Sequence, residues 1–126
     1  MSDVPCPAAS ELAILRVLWE REPCSVREVH EVIAATKPVR YTTVLKTLQN
    51  MTDKGLVKRD EREKAHRYRA ALSAPRVQKR LVDDLVERAF GGAAGQLVVQ
   101  ALSGRKASAA DIADLKALLA SLERGR

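Results

Sequence analysis

The sequence predicts a mainly α-helical protein with one small β-hairpin, and three observations support this fold class. Apolar residues recur at helical spacing in three short segments before Gly55 and in three further segments after Leu72. Between them, residues 56–70 change to short alternating runs, the pattern of half-buried strands. Aromatic residues make up only 3% of the chain, so Leu, Val, Ile and Ala must supply the core, and this composition favours helices.

The first helix is predicted to run from Ser10 to about Glu22. Ser10 is a favourable N-cap residue, because its hydroxyl can accept a backbone N–H of the first turn. Pro23 ends the helix, since proline cannot donate the next backbone hydrogen bond. The apolar stripe of this helix consists of Leu12, Leu15, Leu18 and Trp19, with Ile14 at its margin.

The second helix is predicted to start after Ser25. Glu28 follows three residues later, a spacing typical of a capping box, in which each side chain accepts the other residue's backbone N–H. The Lys37-Pro38 pair ends the helix, because proline disfavours helical geometry in the residue before it. The inward face is predicted to contain Val26, Val29, Val32 and Ile33.

The third helix is predicted to begin at Tyr41 or Thr42 and to end at Lys54. Gly55 follows it, and glycine is the residue type best able to adopt the left-handed conformation just past a helix. The inward stripe is predicted to contain Val44, Leu48 and Met51, joined by Leu45.

A β-hairpin is predicted after the third helix, with strands over residues 56–60 and 65–70. Its alternation places Tyr68 inward, while Arg67 and Arg69 share the opposite face. Three short helices followed by a hairpin form the layout of a winged helix-turn-helix, which we predict for residues 1–72. Residues 73–126 are wholly helical in pattern and form a second predicted domain.

The charge of the chain is concentrated in its middle. The formal net charge is +6, and residues 37–69 hold 10 basic against 4 acidic residues, whereas residues 1–36 hold 3 against 6. A basic segment on a folded domain is expected for a protein that binds a polyanion, because neutralised phosphates release counterions. A solvated charged face is the alternative, and charge alone does not decide between them.

The third helix has the polar surface that DNA recognition requires. Asparagine can pair bidentately with adenine, lysine can reach guanine or phosphate, and threonine can contact phosphate or a thymine methyl group. Any amphipathic helix has a polar face, but this one lacks the mixed-sign charges of an ordinary solvated helix. The expected DNA contacts are Arg40, Tyr41, Thr42, Thr43, Lys46, Thr47, Asn50 and Lys54.

The hairpin supplies further cations for the phosphate backbone. Arg62 and Lys64 lie at its turn, and Arg67 lies on the exposed face of its second strand, so we expect all three to contact DNA. The alternative is that the arginines pair within the hairpin with the acidic residues Asp60, Glu61 and Glu63.

Several of these segments together are similar to a known family. The runs Tyr41 to Leu48, Lys54 to Val57 and Ala65 to Tyr68, with the first two helices, resemble the penicillinase-repressor family, the BlaI/MecI/CopY group of bacterial repressors. The resemblance covers nearly the whole chain. It implies a repressor that binds double-stranded, inverted-repeat operator DNA as a homodimer.

The resemblance also implies that the C-terminal helices of two chains interlock. The residues agree with this, because about fifty residues divided among three short helices would bury little apolar surface alone. Two-fold symmetry then requires recognition helices about one DNA turn, or a multiple of it, apart. The expected dimerisation residues are Leu81, Leu85, Phe90, Leu97, Val98, Leu102, Ile112, Leu115, Leu118, Leu119 and Leu122.

The chain differs from the family's best-known members in the residues that are linked to release from DNA. β-Lactam-responsive members are cut at an Asn-Phe bond through a membrane metalloprotease pathway, and the matching residues here are Gln100 and Ala101. Proteolytic release with altered specificity is therefore one interpretation. Copper-responsive members carry a C-terminal cysteine cluster, which this sequence lacks, so copper sensing by that route is not expected.

Other classes of function are weaker interpretations of the same residues. The two histidines, His30 and His66, lie in no metal or catalytic motif, so we expect no enzyme activity, metal or cofactor. A winged helix used only for protein–protein contact and a repressor that responds to a small molecule remain alternatives. Without a signal peptide or an apolar run of about 20 residues, the protein is expected in the cytoplasm, with Cys6 and Cys24 reduced and structural or incidental.

Overall fold

The computed structural model describes residues 4–125, which divide into two compact units, the first ending at Leu85 and the second beginning at Val86. The first unit contains three helices, a three-stranded antiparallel sheet and most of a fourth helix, and the second contains the rest of that helix and two more. The elements are α1 (Ala9–Arg21), β1 (Cys24–Ser25), α2 (Val26–Ala34), α3 (Tyr41–Lys54), β2 (Val57–Asp60), β3 (Arg67–Ala70), α4 (Ala74–Phe90), α5 (Ala94–Leu102) and α6 (Ala109–Arg124).

The start of α1 differs from the prediction. Ala8 is the N-cap residue and Ser10 lies inside the first turn, so the prediction of Ser10 as the cap is wrong. The carboxylate of Glu11 accepts the backbone N–H of Ala8 at 2.8 Å and thereby supports the helix start in place of a capping hydroxyl. Ile14, placed at the margin of the apolar stripe by the sequence, is fully buried with Leu15.

The capping box of α2 is confirmed. The Ser25 hydroxyl accepts the Glu28 N–H at 3.2 Å, and the Glu28 carboxylate accepts the Ser25 N–H at 2.9 Å. The same segment forms β1, whose residues Cys24 and Ser25 pair with Tyr68 and Arg67 of β3. Two residues are too few to show an alternating pattern, which is why the sequence did not predict this strand.

The β-hairpin is confirmed, with strands shorter than predicted. β3 lies between β1 and β2, and Arg59 faces Tyr68 across the β2–β3 pair. Tyr68 is 1% exposed, as the alternation predicted. The hairpin is therefore held to the helices by a central buried tyrosine.

Helix α3 is fixed in the first unit by its apolar stripe. Val44, Leu48 and Met51 are buried, and they belong to one cluster with α1, α2 and the sheet. Val77 of α4 is buried in the same cluster, and Leu81 packs against it. Gly55 ends α3 with φ of 82°, the left-handed conformation that its sequence position predicted.

A second contact attaches the C-terminal end of α3 to α1. The Lys54 ammonium lies 2.8 Å from a Glu11 carboxylate oxygen, and Glu11 is only 4% exposed. Burial alone would raise the pKa of Glu11, but the hydrogen bonds from Lys54 and the Ala8 N–H, together with the Lys54 charge, lower it overall. Glu11 is therefore a buried carboxylate that stays ionised.

The helices of the second unit carry little buried surface. Neither α5 nor α6 contains a buried residue, although α5 is rich in Leu and Val and α6 is rich in Leu and Ala. Ser108 caps α6 by accepting the Asp111 N–H at 3.0 Å. The predicted domain boundary at residue 72 stays a prediction. In the structure, α4 begins in the first unit and continues into the second.

Replacing Glu11 with Gln should destabilise the protein at neutral pH by about 1–2 kcal/mol. The substitution removes a charged hydrogen bond but leaves Lys54, whose side chain is half exposed, solvated. Because the folded pKa of Glu11 lies below its usual value near 4.5, its stabilisation is present above pH 4.5 and is lost as pH falls through the folded pKa. Urea unfolding between pH 7 and pH 3, at fixed protein concentration, measures both effects.

Glu20→Gln is the matched control, because Glu20 is exposed on the same helix. It should change the free energy of unfolding by less than about 0.5 kcal/mol at any pH in this range. If Glu11→Gln remained as destabilising at pH 3 as at pH 7, the ion pair would not be the source of the effect.

Candidate nucleic-acid interface

The polar face of α3 points away from the buried stripe. Thr43, Lys46 and Asn50 are exposed, while Thr47 is partly covered. Within residues 4–125, Lys46 forms no ion pair, and the Thr47 hydroxyl donates to the Thr43 carbonyl at 2.8 Å. The face therefore presents an uncompensated ammonium and a free carboxamide, both able to reach base edges or phosphates.

The start of α3 is held by the turn before it. His30 Nε2 lies 2.8 Å from the Val39 carbonyl, and because a carbonyl only accepts, Nε2 carries the proton. The His30 ring also meets the edge of Tyr41, with ring centroids 5.9 Å apart. Tyr41 is nevertheless 46% exposed, and its neighbours Arg40 and Thr42 are exposed as well.

Lys54, the last residue predicted to contact DNA on this helix, has a structural partner. Its ammonium is bound to Glu11, as described above, and half of its side chain remains in water. The sequence could not reveal this contact, because the two residues are 43 positions apart. Its contact with DNA stays a prediction.

Two arginines of the hairpin form short ion pairs with carboxylates. Arg62 makes a two-pronged contact with Asp60, with Nη2 at 2.7 Å, and Arg59 lies 2.7 Å from Glu61. The Arg62 side chain and its backbone N–H lower the pKa of Asp60 to about 2, so this carboxylate remains charged across the working pH range. In the protein without DNA, Arg62 is therefore paired within the hairpin, as the alternative interpretation of the sequence expected.

Other cations of the hairpin are free of such short contacts. Arg67 lies 3.7 Å from Glu28 and 3.8 Å from Glu63, distances of loose ion pairs. Lys64 is exposed at the turn, and among residues 4–125 it has no ion-pair partner. Lys58 and Arg69 face each other across the β2–β3 pair on the exposed side.

Lys58 and Arg69 are absent from the predicted DNA contacts. The register of the β2–β3 pair makes them neighbours on one face of the hairpin. Their proximity follows only from the pairing of β2 with β3, and the sequence alone left that register open. Arg69 could have been found from its alternation with Tyr68, which places it on the same face as Arg67.

A cleft of about 400 Å³ separates the start of α3 from the hairpin turn. Arg27 and Lys64 are among its lining residues, and Tyr41 and His66 also border it. Arg27 is also outside the predicted set of DNA contacts. Its position in the sequence is nevertheless unusual, because it lies in the first turn of α2, where the helix dipole disfavours a cation. A negatively charged ligand beside this turn would reverse that cost.

The predicted dimerisation residues lie on apolar surface of the chain, with one exception. Leu81 packs against the core of the first unit, whereas Leu85 on the same helix is exposed. Phe90, Leu97 and Leu115 are partly covered. The remaining residues are between 40% and 57% exposed: Val98, Leu102, Ile112, Leu118, Leu119 and Leu122.

Gln100 and Ala101, which the resemblance predicts to match the family's cleavage bond, both lie in α5 and are exposed. A protease that binds its substrate in extended form would have to unwind this helix locally. The structure thus brings together an accessible segment and an apolar surface in the second unit.

No cluster of three or more His, Cys, Asp or Glu side chains between residues 4 and 125 is arranged to hold a metal ion. Over the same span, none of the helices combines the length and apolarity needed to cross a membrane. Cys6 is exposed and Cys24 is buried, and both are free thiols. The Cys24 thiol donates to the Arg21 carbonyl at 3.2 Å, and burial raises its pKa.

The sequence matches one family over most of its length. Residues 7–121 fit the family model of the penicillinase repressor. The transcriptional regulator BlaI of Mycobacterium tuberculosis, from two strains, is 35% identical over 117 residues, which are 91% of this chain and 83% of the relative.

Solved structures share the fold at lower sequence identity. One is the solution structure of monomeric Bacillus licheniformis BlaI in complex with the blaP half-operator, with a TM-score of 0.52 and 18% identity, covering 60% of this chain and 93% of that one. A second is a MarR family protein from Bacillus stearothermophilus, with a TM-score of 0.50 and 17% identity, covering 94% of this chain and 74% of that one. The match over residues 7–121 and the 35% identity to BlaI establish that the chain belongs to the penicillinase repressor family of DNA-binding transcriptional repressors, and the solved structures share its winged-helix fold.

Proposed function

We propose that this repressor acts in the cytoplasm and binds an inverted-repeat operator as a homodimer. Helix α3 enters the major groove, and the β2–β3 hairpin lies along the phosphate backbone. The observation that carries the proposal is the exposed polar face of α3 opposite a buried stripe. On this face, Lys46 and the Asn50 side chain have no ion-pair or hydrogen-bond partner among residues 4–125. The half-operator bound by the Bacillus licheniformis relative supports DNA as the partner.

The major-groove assignment follows from the chemistry of the exposed residues. Asn50 offers one donor and one acceptor in the geometry that pairs with adenine, and Lys46 can donate to guanine. The Thr47 hydroxyl already donates within the helix, so it keeps an acceptor and a methyl group for the groove. Asn50 and Lys46 are therefore the residues expected to read sequence.

The phosphate contacts are assigned to the cations around α3 and the hairpin. Lys64 and Arg27 border one cleft, and Arg40 precedes α3, so a DNA strand running past the start of α3 meets all three. Arg62 must leave Asp60 before it can bind phosphate. Asp60 thus limits the contribution of the hairpin turn to DNA affinity.

The dimer is supported by the exposed apolar residues of the second unit. Leu118, Leu119 and Leu122 lie within one turn of α6 and are each more than half exposed. Water contact with so many leucines on one helix is unfavourable, since burying each leucine side chain contributes about 1.5–3 kcal/mol. A second copy of the same helices supplies an apolar surface of matching composition.

Release by proteolysis is a further part of the proposal. Cleavage between Gln100 and Ala101 would separate α6, with its exposed leucines, from the DNA-binding helices. The remaining fragment would keep α3 intact but would lose most of the proposed dimer contacts. A membrane metalloprotease pathway is the activity that the family resemblance implies for this step.

Replacing Lys46 or Asn50 with Ala should weaken binding to a selected operator by about 1–3 kcal/mol each, because each loses a base-edge contact. Fluorescence anisotropy measures this with a duplex selected from a random library by the wild-type protein, compared with an unselected duplex of equal length. Gln78→Ala is the matched control, since Gln78 is exposed on α4 and is not among the expected DNA contacts. Equal losses on both duplexes would contradict the base contacts and leave only phosphate contacts.

Replacing Asp60 with Asn should strengthen DNA binding at low salt by about threefold, because Arg62 becomes free to bind phosphate. The slope of log affinity against log salt should become steeper by about one unit. Asp83→Asn, which removes an exposed carboxylate paired with Lys79 in α4, is the control and should leave the slope unchanged. An unchanged slope for Asp60→Asn would exclude Arg62 from the interface.

Replacing Leu119 with Asp should convert the dimer to monomers, because two charges would be buried at the two-fold interface. Analytical ultracentrifugation gives the oligomeric state, and far-ultraviolet circular dichroism checks that helix content is kept. Ser121→Asp introduces the same charge on the exposed side of α6 and should remain dimeric. A Leu119→Asp dimer as stable as the wild type would rule out this face as the interface.

A further inference from the structure

A cleft of about 530 Å³ opens between α1, the α2–α3 turn and α3. Its walls are mainly apolar, and its volume lies in the range of sites for small organic molecules. We refer to it as the α1–α3 cleft. It is lined by Ala8, Ala9, Ser10, Ala13, Ile14, Ile33, Lys37, Pro38, Val39, Thr43, Val44 and Thr47.

The polar groups of the α1–α3 cleft favour a negatively charged ligand. Lys37 is its charged lining residue, and within residues 4–125 this ammonium has no ion-pair partner. The hydroxyls of Ser10 and Thr43 also line the cleft and can donate hydrogen bonds to a bound anion. No carboxylate belongs to the lining, so a bound anion would meet no like charge there.

We propose that the α1–α3 cleft binds a small organic anion with an apolar body, such as an arylalkanoate, and that the bound ligand lowers DNA affinity. The apolar body packs against Ala13, Ile14 and Ile33, and the anionic group faces Lys37. Thr43 and Thr47 belong both to the cleft and to the polar face of α3. The effect on DNA rests on the proposed function, whereas ligand binding itself does not.

The α2–α3 turn borders open space into which it could move when a ligand binds. Pro38 and Val39 of the turn also border a second, shallow depression, together with His30 and Ala34. The turn is held there by the contact between His30 Nε2 and the Val39 carbonyl. A ligand that displaced Val39 would therefore also disturb Tyr41, which His30 contacts at the start of α3.

Ligand binding is tested on the full-length protein without DNA, using 4-phenylbutyrate as the probe. Isothermal titration and amide chemical shifts should show saturable binding, with one site per chain and the largest shifts around Ala13, Val39 and Thr43. Ala13→Leu fills the cleft from an exposed helical position and should abolish these shifts. Ala35→Leu, at an exposed alanine outside the cleft, should leave them unchanged.

The charge preference is tested with two further comparisons. Lys37→Gln should weaken 4-phenylbutyrate binding by about threefold, whereas Lys106→Gln, which removes a lysine of the second unit, should not. The neutral alcohol 4-phenylbutanol should bind wild type and Lys37→Gln equally. Binding that is absent, or that persists in Ala13→Leu, would overturn the proposed site.

The effect on DNA is measured separately by anisotropy with the selected duplex. Saturating 4-phenylbutyrate should weaken binding of the wild type by about tenfold and leave Ala13→Leu unaffected. Ligand binding without any change in DNA affinity would overturn the regulatory part alone. If the protein bound no DNA at all, the proposed function would fail, while the ligand titration would still decide the site.

Discussion

The burial of one side of α3 is the constraint on which the DNA-binding surface depends. Val44, Leu48 and Met51 lie in the core of the first unit, so α3 cannot rotate without exposing them. The ion pair between the buried Glu11 and the half-exposed Lys54 adds a second point of attachment at the end of the helix. Because α3 is fixed both in rotation and along its axis, Lys46 and Asn50 are presented in one orientation. Such preorganisation reduces the entropy that would otherwise be lost when DNA binds.

Fewer basic side chains are free of carboxylate contacts than the composition suggests. Residues 37–69 contain ten basic side chains, but several of these contact carboxylates: Lys54, Arg59, Arg62 and Arg67. The pairs on the hairpin are exposed and therefore weak, so they can exchange for phosphate. The Glu11–Lys54 pair has a buried carboxylate and joins α1 to the end of α3. Equal formal charges are thus unequally available to a phosphate, and only the structure separates them.

Local signals in the sequence predicted most of the fold, because each depends on residues a few positions apart. The Ser25–Glu28 capping box, Gly55 and the buried Tyr68 follow from spacing of this kind. The features that the sequence did not predict depend on contacts between distant residues, or on which of two nearby side chains caps a helix. Strand β1 and the Glu11–Lys54 pair require the tertiary fold, and the carboxylate of Glu11 displaced Ser10 as the determinant of the start of α1. The predicted DNA-contact set is limited in the same way, since Lys58 and Arg69 become neighbours only through the register of the hairpin.

The proposed dimer and the α1–α3 cleft would control DNA affinity at different levels. One recognition helix offers few base contacts, and a two-fold operator makes the second contact intramolecular, which multiplies affinity through effective concentration. Loss of the α6 contacts would remove this gain while leaving each α3 surface unchanged. A ligand in the cleft would instead act within each chain, through Thr43 and Thr47. Affinity for a half-operator therefore distinguishes the two, because it falls when the cleft is occupied and is unaffected when the dimer is split.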